Sequence, residues 1–103
     1  MSNQISELQP WLAPWARWLI SAWPYGDLTS TRRSHREQAQ LYAAFLRGET
    51  KYPVAPPGHS YHELGRAFDY LAPDEILSQL GALWQSAGGR WGGCCRDNIH
   101  FEA

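Results

Sequence analysis

The sequence predicts an α+β fold, a small antiparallel sheet flanked by about three helices. Three observations point there. Stretches around 11–23, 34–47 and 72–87 repeat apolar residues at spacings of three and four, the period of a helix. Stretches at 28–33, 65–71 and 98–102 are short and either β-branched or alternating, as half-buried strands are. Finally, 103 residues with 44% hydrophobic side chains and six tryptophans supply one core and leave no length for a second, so one domain is expected over residues 1–103.

The first helix carries Trp11, Trp15, Trp18 and Ala22 on one stripe and Leu12, Ala16, Leu19 and Trp23 on the next, a wide apolar face. Pro10 and Pro14 restrict its start, because proline is comfortable only in a first turn, so the regular part begins after Pro14 or just before it. Arg17 is the one cation within it, which favours packing on a sheet over lying on a membrane. Trp23 to Asp27 forms a turn, and Leu28 to Arg33 suits a short strand. Ser34 with Glu37 three residues on is a capping-box pattern, opening a second helix that ends at Gly48 with Leu41, Tyr42, Phe45 and Leu46 as its expected buried stripe.

Residues 48–61 hold too much proline and glycine for regular structure and form a loop. In the strand that follows, Gly65, Ala67, Asp69 and Leu71 face one side and Arg66, Phe68 and Tyr70 the other; the small residues at 65 and 67 are expected to leave space beside Asp69 for the ring of His62. Ala72 to Glu75 starts a third helix, with Ile76, Leu77, Leu80, Leu83 and Trp84 at helical spacing up to Gly88. Residues 90–97 read as irregular or briefly extended. The last strand sets Ile99 and Phe101 on one face and His100 and Glu102 on the other.

A net charge of −1 and a pI near 6.4 give no global attraction to nucleic acid or an anionic membrane. The start of the chain lacks a secretory signal and no stretch reaches transmembrane length, so the chain is expected to be cytoplasmic as synthesised, and monomeric. Cys94 and Cys95 are adjacent and are expected to be free, partly buried thiols.

His62, Asp69 and His100 form a three-ligand set from a loop and two strands. Two imidazoles and a carboxylate suit one zinc ion, and three protein ligands leave a fourth position open, which distinguishes a catalytic site from a structural one. Hydrolysis of an amide or ester is the natural reaction for such a site. Asp97, three residues before His100, is placed as a general base, and Arg33, before a helix N-terminus, as the cation for a developing oxyanion. Ser60 is a candidate to bind substrate or orient a ligand, and Gln38, one turn into the second helix, to support the site. His35 and His59 match no position in this set and read as surface residues.

Ser60-x-His62-x-x-Gly65-x-Ala67-x-Asp69 resembles the zinc motif of the M15 peptidases, the D-alanyl-D-alanine carboxypeptidase and dipeptidase group whose fold is shared with the Hedgehog signalling domain. Asp97-x-x-His100-Phe-Glu, preceded by Trp91-Gly-Gly, is similar to the ending of the branch that holds L-alanyl-D-glutamate endopeptidases, many of them phage endolysins. Thr29-Ser-x-x-Arg33-Ser-x-x-x-Gln38-x-x-Leu-Tyr42 resembles that family's arginine segment. The resemblance covers residues 28–102. It implies zinc on His62, Asp69 and His100, Asp97 as catalytic base, Arg33 near the scissile carbonyl, and substrates among peptidoglycan stem peptides. The bond it favours is L-alanyl-D-glutamate, with D,D-carboxypeptidase action, or a binding module with structural zinc, as the alternatives. Action on the wall would then follow holin-type release or delivery as a phage component. Cys94 and Cys95 stand where the family commonly has Asp and an aromatic residue, and Arg32 where it has an aromatic one.

Overall fold

The computed structural model describes residues 2–103. Among these residues are three α-helices, α1 (Ala13–Ser21), α2 (His35–Leu46) and α3 (Asp74–Ser86), and four strands, β1 (Asp27–Ser30), β2 (Ala67–Leu71), β3 (Arg90–Gly92) and β4 (Asp97–Glu102). The strands form one antiparallel sheet in the order β1-β2-β4-β3. The predicted fold class is what the chain adopts. No helix among the described residues is long and apolar enough to cross a membrane.

Alternation decides the sheet's two faces. Phe68 and Tyr70 on β2 and Ile99 and Phe101 on β4 turn inward, where they meet Leu12 just before α1, Ala16 and Leu19 of α1, and Leu77, Leu80 and Trp84 of α3. Phe68 stacks on Phe101 with centroids 5.3 Å apart, and Trp84 meets both edge-on. Register follows: Phe68 pairs with Phe101 and Asp69 with His100, so the residues between the core positions are set side by side on the opposite face.

Several expectations need correction. α1 and its N-cap bury Leu12, Ala13, Ala16 and Leu19, while Trp11, Trp15 and Trp18 are about half exposed. The tryptophans flank the stripe that faces the core, and Trp15 and Trp18 pack edge-to-face on each other instead. In α2 the expected stripe of Leu41, Tyr42, Phe45 and Leu46 is not a core face: Gln38 is its buried residue, and Leu46 is 67% exposed. The reason is that α1 and α3 already cover the apolar side of the sheet, whereas Gln38 and Leu41 of α2 line a cavity over the polar side. β1 ends at Ser30, short of Arg33, and residues 90–97 resolve into β3 and a 3₁₀ turn, Gly93–Cys95.

Gly65 does not open space beside Asp69. It takes a left-handed conformation (φ 66°) that closes the turn before β2, and a Cβ there would press on the backbone of Glu7 and Gln9. The cysteines are not free either: Cys94 and Cys95 are joined to each other as a disulfide. Their Cα atoms are 3.8 Å apart, below the usual range for a bridge, and the 3₁₀ turn that contains them brings the two sulfurs together.

Candidate metal centre

His62 is delivered by a 3₁₀ turn, Tyr61–Leu64, with Ser60 at its N-cap and Gly65 at its end. The Ser60 hydroxyl accepts the His62 N–H at 3.2 Å, and the His62 carbonyl accepts the Arg33 N–H at 3.0 Å, so the turn is tied at both sides. The imidazole is buried, and its Nδ1 lies 2.6 Å from the Thr31 carbonyl. A carbonyl can only accept, so Nδ1 carries the proton and Nε2 is turned toward Asp69 Oδ1 at 3.2 Å.

Asp69 and His100 are opposite each other on β2 and β4. His100 Nε2 lies 2.7 Å from Glu102 Oε1, and its Nδ1 faces the same Asp69 Oδ1 at 3.3 Å. Two imidazole nitrogens whose partner nitrogens already donate elsewhere therefore converge on one carboxylate oxygen. Lone pairs facing lone pairs repel, so a cation must lie between them, either protons on the rings or a shared metal ion.

The donor atoms of His62, Asp69 and His100 all lie within 4.8 Å of one another. Tetrahedral zinc with bonds of about 2.0–2.2 Å has ligand-to-ligand edges of about 3.3–3.5 Å. The 3.2 and 3.3 Å separations at Asp69 are close to that length. One carboxylate and two imidazoles are also zinc's usual donors, so residues and group fit.

The second Asp69 oxygen accepts from Arg33 Nη2 at 2.9 Å. Arg33 also reaches Ser30 Oγ through Nε and Gln38 Oε1 through Nη1, which leaves two of its five N–H groups uncommitted to these partners. Gln38, fully buried, continues the chain to the Ala55 carbonyl at 2.8 Å and so fastens the proline-rich loop. Asp97, the first residue of β4, points Oδ2 toward His100 Nδ1 at 3.9 Å.

Electrostatics follow from this crowding. Burial pushes the Asp69 carboxyl up, but hydrogen bonds from His100 and His62 outweigh it and hold the group well below the usual carboxylate range. Burial lowers His100, yet its bonds to Asp69 and Glu102 push it up to about 9. Asp97 is shifted upward, first by burial and then by the neighbouring Asp69 charge, against the pull of His100. A carboxylate raised toward neutrality is a better proton acceptor for catalysis.

All seven residues singled out from the sequence, His62, Asp69, His100, Asp97, Arg33, Ser60 and Gln38, line one cavity of about 710 Å³. His59 also lines it, as an exposed residue at the rim. His35 lies outside that cavity, exposed, with its ring against Glu63. Sequence reasoning missed Thr31, Glu102 and Arg90. Thr31 acts through its carbonyl, for which no side-chain signal exists. Strand alternation sets Glu102 on the same face as His100 but gives it no role.

Comparison with known proteins agrees with this geometry. A family model described as D-alanyl-D-alanine carboxypeptidase, VanY, matches residues 24–92. The chain belongs to this family. It is therefore a peptidase, and with its His-Asp-His donor set a zinc peptidase. Among solved structures, it is similar to a mutant of the vancomycin resistance D,D-pentapeptidase VanY from a VanB-type resistance cassette, in complex with Zn(II). The two share 19% sequence identity and a TM-score of 0.69, over 92% of this chain and 71% of the other. The VanY-like fold is thus present in a shorter chain. No curated protein matches the sequence.

Proposed function

We propose that the chain hydrolyses a peptide bond in peptidoglycan stem peptides, with His62, Asp69 and His100 holding one zinc ion and Asp97 as general base. The observation that carries this reading is the convergence of two imidazole nitrogens on one oxygen of Asp69, with a second, raised carboxylate alongside. When bound, zinc supplies Lewis acidity, which acidifies water and polarises a carbonyl.

The remaining chemistry belongs to the chain's own residues. Asp97 takes the proton of the attacking water and returns it to the leaving nitrogen. Arg33 holds the far oxygen of Asp69 and lines the same cavity, so its two remaining N–H groups are available to the developing oxyanion. Ser60 orients the His62 turn through its cap, and Gln38 braces Arg33 against the loop that forms the cavity wall.

Family membership favours release of a terminal D-alanine. A second reading, cleavage between L-alanine and D-glutamate, is favoured by the ending Asp97-x-x-His100-Phe-Glu102, whose three polar residues all line the cavity. Mass spectrometry of digested muropeptides separates the two: loss of one alanine mass with intact Ala-Glu linkages supports the first, and freed L-alanine termini the second.

Asp97→Ala tests the mechanism common to both. Hydrolysis should fall by roughly 10²–10⁴-fold while zinc content stays at the wild-type level. A variant that hydrolyses at the wild-type rate would remove Asp97 from the mechanism. A variant that loses zinc as well would show that it acts on the metal.

A further inference from the structure

His100 has two ring nitrogens, and the metal site described above needs Nδ1 rather than Nε2. What decides between them lies two residues further along β4. Glu102 returns to the same face of the strand, and its Oε1 takes the Nε2 side of the ring at 2.7 Å. Its other oxygen, Oε2, accepts from Arg90 Nε at 2.8 Å. Arg90 is the residue directly opposite Glu102 in the β3–β4 pairing, so both ends of this contact are fixed by strand register. The Glu102 carbonyl in turn receives the Trp84 indole N–H at 2.9 Å, which anchors the strand end to α3.

Arg90 has a second neighbour. Its guanidinium stands 5.0 Å from the centroid of the Tyr61 ring, and Tyr61 immediately precedes His62. The Arg90 side chain thus touches both the residue that steers His100 and the turn that carries His62.

On the zinc reading given above, we infer that Glu102 is a positioning residue that sets which nitrogen His100 offers to the metal, and that Arg90 fixes the Glu102 carboxylate in the orientation this requires. Neither residue belongs to the donor set of His62, Asp69 and His100. A carboxylate on the far ring nitrogen selects the tautomer and makes the ligating nitrogen more basic, and losing such a partner typically costs 10–100-fold in metal affinity.

The experiment compares zinc affinity, by chelator competition, and the ¹H–¹⁵N imidazole spectrum of the zinc-loaded protein for wild type, Glu102→Ala, Glu102→Gln and Arg90→Met. Wild type should show His100 bound through Nδ1, with its proton on Nε2. Glu102→Ala should bind zinc 10–100-fold more weakly and lose the single Nδ1-bound pattern. Glu102→Gln, which keeps an acceptor oxygen, should restore the Nδ1 pattern with part of the affinity, and Arg90→Met should fall between it and wild type. Wild-type affinity together with an unchanged spectrum in Glu102→Ala overturns the inference. Should Glu102→Ala fail to fold, wild-type values in both Glu102→Gln and Arg90→Met overturn it equally. Wild-type protein that binds no zinc overturns the metal reading itself, a result distinct from a change confined to the variants.

Discussion

His100 is a residue under two opposing demands. Without metal, its contacts with Asp69 and Glu102 hold a proton on the ring up to about pH 9. With metal, that proton has to leave. The folded-state pKa stands above the ordinary value of 6.5, so the stabilisation from the charged ring is complete below pH 6.5 and is lost as the pH rises through 9. Metal-free protein should therefore show a melting temperature that declines between pH 6.5 and 9.5, and His100→Gln should flatten that slope. A wild-type profile with no decline would mean the ring is already neutral. Since metal needs the neutral ring with Nδ1 bare, chelator competition over the same range should show zinc binding strengthening with pH. Asp69 runs the other way: its depressed pKa contributes stability above the ordinary carboxylate range, which is lost only as the pH falls well into acid.

At the scale of elements, capping does much of the placement. Ser34 and Glu37 exchange hydrogen bonds across the first turn of α2, and Ser60 and Glu63 do the same across the turn that carries His62. Ser34→Ala should cost about 1 kcal/mol in a denaturant melt with little change in zinc affinity. Ser60→Ala, whose cap steadies a ligand, should weaken zinc binding as well, and equal zinc affinity in both variants would deny the Ser60 cap that role. The start of α2 was legible because its cap is local: Ser34 and Glu37 signal from three residues apart. The α2 face was not, because periodicity shows that a helix has an apolar stripe and says nothing of whether the core has room for it. The same limit explains the tryptophans of α1. Their size marks them as core by composition, but a helix buries the stripe its neighbours can reach, and small Ala16 lies at the centre of that stripe.

For the whole molecule, site and core share a support. The candidate donors were legible one by one, since His62, Asp69 and His100 stand in chain order at positions where polar residues interrupt strands or turns. What the sequence could not show was the partner of His62 Nδ1, because Thr31 contributes a backbone carbonyl, or the brace on Glu102, because Arg90 reaches it from the neighbouring strand. Removing Phe101, stacked on Phe68 behind the metal face, should cost about 3–5 kcal/mol as Phe101→Ala, read by chemical denaturation. Zinc at a hundredfold over its dissociation constant should return about 2.7 kcal/mol to any variant that keeps the site, and a chelator should remove it. A variant whose midpoint ignores both zinc and chelator has lost the site along with its core support.

The pairing of Asp69 with His100 directly across β2 and β4, one step from the pairing of Phe68 with Phe101, acts as a parity check on assembly. A slip of one residue between these strands would turn His100 into the oily interior and Phe101 out into the cleft, so the misfolded form would be penalised before any ion arrived. A slip of two would restore the faces but pull the ligands about 7 Å apart along the strands, beyond the reach of a single ion. Burial rejects the odd errors and metal the even ones, and a chain that binds zinc has thereby reported that its two central strands are correctly aligned.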